Sequence, residues 1–148
     1  MIRFENRFDE YSYRLAYREI ASSVTALEEG QWITFDTDGK IVISDGTAAK
    51  SFLAIGSKRT DRDQVSGVSV KKIAYLHGAF ELSVSNYDTN GTYTAALTAL
   101  KVTTAGILAP ITAPTWNGEG VLTGDLVDKI VAYAIGAPVN GYLRIISA

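Results

Sequence analysis

The residues equipped for chemistry in this 148-residue chain are few and scattered. His77 is the only histidine and there is no cysteine, so an imidazole-based metal site or a Ser-His-Asp triad has one residue to build on. That histidine stands in AYLHGAF, between two apolar runs and before a glycine, where a residue flanking a turn is expected. Glycoside hydrolysis needs only two carboxylates at the right separation. Asp61 with Asp63, and Asp125 with Asp128, are the candidate pairs, but both lie in hydrophilic stretches where acids stay solvated and ionise normally. Asp36, Asp38, Gly39 and Asp45 loosely follow a calcium loop. The first ligand position would fall on Thr34, however, and Ile41-Val42-Ile43 reads as strand, so a hairpin explains these residues better. No H-E-x-x-H, G-x-S-x-G or Gly-rich phosphate loop occurs. Trp116 and Tyr87 are loop aromatics of the kind that stack on sugars, or that anchor a loop. These residues imply no catalytic centre, metal or cofactor, and they favour binding over catalysis.

The elements that must position such residues follow from composition. A chain of this size is one domain, able to bury roughly 68% of its extended surface. A hydrophobic fraction of 47% with 20% charged residues excludes wholesale disorder. Net charge is −2, with acids and bases mixed, so no basic field exists to hold a phosphate backbone and nucleic acid is not an expected partner. No apolar run reaches the ~20 residues a membrane helix needs. The first residues mix arginines with acids and lack the apolar core of a secretion signal, so the expected site of synthesis and use is the cytoplasm or a structure assembled there.

Glycine divides the chain. None precedes Gly30, and from there to Gly106 one recurs every seven to fifteen residues between β-branched and aromatic runs. That is the rhythm of an all-β domain, a β-sandwich or a small, partly open β-barrel, over residues 25–148. QWITFDTDGKIVIS predicts a hairpin, with Asp38-Gly39 as the central pair of a type I′ turn. Further strands are expected over 51–55, 68–76, 79–84, 96–102, 129–135 and 142–146, with His77-Gly78 turning one strand into the next. GSKRTDRDQVSG and TAPTWNGEGVLTGDLVDK read as long loops. The order of elements in ALEEGQWITFDTDGKIVIS and SFLAIGS recurs in ALTALKVTTAGILAPIT and KIVAYAIGA, as two related halves would.

Residues 1–24 differ. Five of the fifteen aromatic residues (Phe4, Phe8, Tyr11, Tyr13 and Tyr17) fall within the first seventeen positions, interleaved with Arg3, Arg7, Arg14 and Arg18. Phe4, Phe8, Tyr11 and Leu15 share one face of a helix, whereas Tyr11, Tyr13, Leu15 and Tyr17 alternate as in a strand. Competing periods predict an extended or partly helical arm whose structure is decided by what it docks against. Burial of the aromatics and the entropy of ordering some twenty residues are of similar size, so a surface must tip the balance. These nine aromatic and arginine residues are the expected partner contacts, with Lys58 to Gln64 as a weaker candidate. The alternative is a helical cap over the domain's own core.

GILAPIT, the loop after it and DKIVAYAIGAPVNGYLRIIS, together with the hairpin GQWITFDTDGKIVIS, resemble the small β-rich decoration (cement) proteins of tailed-bacteriophage heads. The likeness is one of element order over residues 25–148. It implies a non-enzymatic structural protein, made in the host cytoplasm and placed on the outer capsid surface of the virion. The partners it implies are the major capsid protein and neighbouring copies, often as a homotrimer. It transfers no catalytic residue, and the aromatic N-terminal segment departs from anything the resemblance supplies. The other reading of the residues is a carbohydrate-binding or adhesion module using Trp116, Tyr87 and loop acids.

Overall fold

In a computed structural model the protein is all-β, built of antiparallel sheets without a helix among the residues described, which are 2–4, 13–57, 72–94, 96–112, 115–116, 118–124 and 129–148. Asp61, Asp63, Asp125, Asp128, Arg7, Phe8, Tyr11 and the stretch from Lys58 to Gln64 lie outside them. The strands are β1 (Ile2–Phe4), β2 (Tyr13–Glu19), β3 (Trp32–Phe35), β4 (Ile41–Ile43), β5 (Phe52–Leu53), β6 (Lys72–Gly78), β7 (Glu81–Val84), β8 (Thr98–Val102), β9 (Leu108–Pro110), β10 (Thr115–Trp116), β11 (Leu122–Thr123), β12 (Ala132–Ala134) and β13 (Leu143–Ser147).

They form two rings. In the first, β4-β3-β5 is one sheet and β2-β6 a second. Single-residue bridges join them at both edges: Ala54 to Tyr75 antiparallel, and Ile20 to Ile41 parallel. In the second, β9-β8-β12-β13-β7 is continuous, and a parallel bridge from Tyr87 to Leu108 closes it. The rings match strand for strand. Ala21 N–H donates to the Ile41 carbonyl in one, and Asp88 N–H to the Leu108 carbonyl in the other. Ala16 pairs with Tyr75 as Leu82 pairs with Ile145. The recurring element order of the sequence therefore has a structural counterpart, with β3-β4-β5 repeated as β8-β9-β12.

Strand alternation builds two cores from shared strands, since successive side chains point to opposite faces. Ile33, Ala54 and Tyr75 fill the first ring, with Ile20, Val24, Leu27, Ile41 and Ile73. Their neighbours Trp32, Leu53 and Leu76 point the other way and join the core of the second ring, with Leu82, Val84, Leu100, Leu108, Leu143 and Ile145. Three strands thus cement the rings into one body.

Several boundaries differ from those expected. The β3–β4 turn is not type I′, because Gly39 has positive φ (73°) and Asp38 does not. Gly39 N–H bonds the Asp36 carbonyl and Asp36 N–H the Lys40 carbonyl, a type I turn followed by a left-handed glycine. The Asp36 carboxylate accepts from the N–H groups of Asp38 (3.0 Å) and Lys40 (2.8 Å), so it caps the turn. The type I′ pair is Asn140-Gly141, with φ of 51° and 77°. β6 continues through His77-Gly78, and the chain turns at Ala79-Phe80 instead. Within the second expected long loop, β10 and β11 form a short hairpin.

The N-terminal segment, expected as an extended or partly helical arm, contributes strand at Ile2–Phe4 and Tyr13–Glu19 and a turn after Ile20. β1 adds to the free edge of β7, and β2 pairs with β6 along all seven of its residues, from Tyr13 opposite Gly78 to Glu19 opposite Lys72. No helix occurs among its described residues.

Candidate interaction surface

The partner contacts expected from sequence separate into distinct environments. Arg3 and Phe4 sit in β1, and Tyr13 and Arg14 begin β2. Ala16 packs against the core of the first ring, so alternation turns Leu15 and Tyr17 outward. They are 45% and 67% exposed. Arg18 is turned back onto its own chain. Its guanidinium carbon lies 4.6 Å from the centroid of the Phe35 ring, and Nη1 donates to the Gly39 carbonyl at 3.2 Å. Glu19 pairs with Lys40 at 3.8 Å. The hairpin tip thereby occupies both charged residues at the end of β2, and the described side chains left outward are Leu15 and Tyr17.

Of the other exposed apolar side chains, Trp116, Val121 and Val139 stand on or beside hairpins and Leu97 just before β8; Leu97 and Val139 also line shallow clefts. Trp116 is 73% exposed on β10, with Val121 beside β11. Val139 heads the Asn140-Gly141 turn, its N–H and carbonyl both bonded to Tyr142. Sequence reasoning missed Val139, although the Asn-Gly pair after it is a strong hairpin signal.

The candidates for chemistry fall elsewhere. His77 is exposed and stacks on Phe52 at 6.0 Å, with the ring planes 15° apart. Among the described residues no three His, Asp or Glu side chains group to hold a metal. Asp45 accepts from the N–H and hydroxyl of Thr47 at 2.9 and 2.6 Å, and these bonds hold its carboxyl below the usual range. It serves a local turn, as Asp36 does. Tyr87 is no open stacking platform: it closes the second ring at Leu108 and meets Tyr93 edge-on at 5.7 Å. Tyr93 donates to the Asp88 carbonyl at 2.7 Å, and burial, reinforced by the charge of Asp88, pushes its hydroxyl up to about 12.

One ionic pair, with a buried carboxylate and an exposed guanidinium, supports the second ring. Glu81, 7% exposed, receives Nε of Arg144 at 2.7 Å and a second contact from Nη2. The two belong to neighbouring strands, so the pair ties β7 to β13. Comparison with known proteins finds no matching family model, no matching curated protein and no matching solved structure.

Proposed function

We propose that this chain is a decoration protein of a tailed-bacteriophage head. It binds the outer surface of the expanded shell, ties neighbouring major capsid subunits together and performs no catalysis. The observation that carries the reading is the placement of the exposed apolar side chains. Leu15 and Tyr17 stand on a strand, Trp116, Val121 and Val139 on or beside hairpins, and Leu97 just before β8. Exposed apolar and aromatic side chains spread over strands and hairpins suit contact with another protein surface, where aromatic anchors contribute most of the binding energy. Many copies on one particle let modest affinity per copy stabilise the shell by mass action. The element order shared with cement proteins supports the same reading.

Trp116 also favours a second reading, a glycan-binding module, since an exposed indole can stack on a sugar ring. One experiment separates the two. Saturable co-sedimentation with expanded heads of the source phage, weakened by Trp116→Ala or Val139→Asp, with no signal on a glycan array, supports decoration. Glycan binding that Trp116→Ala abolishes, without head binding, replaces it with the second reading.

A further inference from the structure

The correspondence between the rings exposes a vacancy. Leu82, Ser83 and Val84 of β7 carry an extra antiparallel strand on their outer edge, with Ile2 opposite Val84, Arg3 opposite Ser83 and Phe4 opposite Leu82. The same positions in the first ring are Ala16, Tyr17 and Arg18 of β2, because Ala16 pairs with Tyr75 as Leu82 pairs with Ile145. No described strand pairs with β2 there. The β3–β4 tip reaches that side only at Arg18 and Glu19, through Gly39 and Lys40. Among the described residues an unpaired edge from Tyr13 to Tyr17 remains, with Leu15 and Tyr17 exposed on it. It has neither proline nor bulge to block strand addition.

We infer that this edge is the two-fold interface between two copies of the chain, β2 pairing antiparallel with the partner's β2 about Leu15. The pattern Tyr-Arg-Leu-Ala-Tyr selects the partner and the register. A two-fold axis at Leu15 sets Leu15 opposite the partner's Leu15, Tyr13 opposite the partner's Tyr17, and Arg14 opposite the partner's Ala16. Each pair is aromatic–aromatic, aliphatic–aliphatic or free of like charge, the combinations that favour strand pairing. An axis at Ala16 would oppose Arg14 to the partner's Arg18. An axis at Tyr17 would run Tyr13 against the partner's Ala21, whose N–H already bonds the Ile41 carbonyl. An axis at Arg14 would oppose Arg14 to the partner's Arg14, and only the Leu15 register pairs all five open residues with one another. The isologous pairing extends β6-β2 into a four-stranded sheet across two chains. It is not by itself the three-fold ring that the cement-protein resemblance implies.

The chain has no cysteine, which makes cross-linking unambiguous. Residues directly opposite in an antiparallel pair have Cα atoms about 4.5–5.5 Å apart, within disulfide reach. Leu15→Cys under mild oxidation is expected to give a covalent dimer, while Val139→Cys, also exposed, gives only its collisional background. In sedimentation velocity the wild type is expected to run as a dimer and Leu15→Lys as a monomer. Cross-linking of Leu15→Cys no greater than that of Val139→Cys overturns the inference. So does a wild type that stays monomeric up to about 100 μM, or an oligomer of any size that persists in Leu15→Lys. No capsid enters these measurements, so their failure and that of the decoration reading are independent.

Discussion

The Arg18 guanidinium sits over the Phe35 ring while donating to the carbonyl of Gly39, so one side chain clamps β2 to the tip of the β3–β4 hairpin. Its counterpart in the second ring is Val84, fully buried and paired with Ile2 of β1. A cation over an aromatic face thus closes the ring mouth that an aliphatic residue closes in the other half.

Arg18→Ala is expected to cost about 1 kcal/mol, the combined loss of a partly exposed cation–π contact and a charged hydrogen bond. Arg18→Lys should recover only part of it, because an ammonium cannot both stack and reach the carbonyl. Urea melts of the three proteins, with unchanged m, measure this directly.

The two hairpins provide an internal control on packing. Gly39 and Gly106 hold equivalent left-handed positions, with φ of 73° and 70°. A Cβ at Gly39 would meet only the movable Arg18 Nη1 at 3.2 Å, whereas one at Gly106 would lie 2.9 Å from the Trp32 carbonyl oxygen and from an Ile43 methyl. Gly39→Ala should therefore cost only the backbone strain, about 1–2 kcal/mol. Gly106→Ala should cost roughly 2 kcal/mol more, because the seam between the rings must part. Equal losses in thermal melts would contradict the seam's tight packing at this point.

Much of this architecture was legible in the sequence for a physical reason. Period-two runs between glycines report strands wherever one face is buried, and β3, β4, β7, β8 and β13 fall where they were expected. The repeated Ile-Gly and Leu-strand order was a trace of the two rings. What was not legible depended on long-range pairing. Leu15 satisfies a helical face with Phe4 and Phe8 and a strand face with Tyr17, and only the ladder to Leu76 decides for strand. Asp38-Gly39 has the composition of a type I′ turn, but the Asp36 carboxylate holds the N–H of Lys40 and selects a wider loop. Arg18 carried no local mark of its role, since Phe35 is brought to it by the ring closure.

Alkaline pH should probe the second ring through Tyr93. Its hydroxyl is raised to about 12 in the fold, against about 10 in an unfolded chain. A raised value means the folded state keeps a proton that the unfolded state releases. The contribution is therefore complete below pH 10 and is lost as pH rises towards 12. Tyr93→Phe removes the bond to the Asp88 carbonyl at a cost of about 1 kcal/mol near pH 7. The variant should also flatten the decline between pH 10 and 12, so its melting temperature approaches the wild type's as pH rises. Parallel declines would show that Tyr93 is not the group responsible.

Deleting residues 1–20 tests whether the N-terminal segment is an appendage or part of the body. An appendage can be removed without loss of fold. Here the deletion takes away β1, all of β2 and Ile20, uncovering Ile73, Tyr75 and Ile41 in the first core and the β7 edge in the second. Ile20 alone is 6% exposed, and losing a buried side chain of that size costs about 2–5 kcal/mol. Added to the seven-residue ladder of β2, this exceeds what a domain of ordinary stability can lose. The truncated chain should be insoluble or bind hydrophobic dye, whereas Trp116→Ala, altering one exposed side chain, should melt within about 0.5 kcal/mol of the wild type. If the truncated chain instead keeps a cooperative melt, the β2–β6 pairing contributes little, and the first ring is held by β3, β4 and β5 alone. For the same reason, loss of head binding on truncation would report unfolding, and single substitutions at Trp116 and Val139 are the variants that report contact.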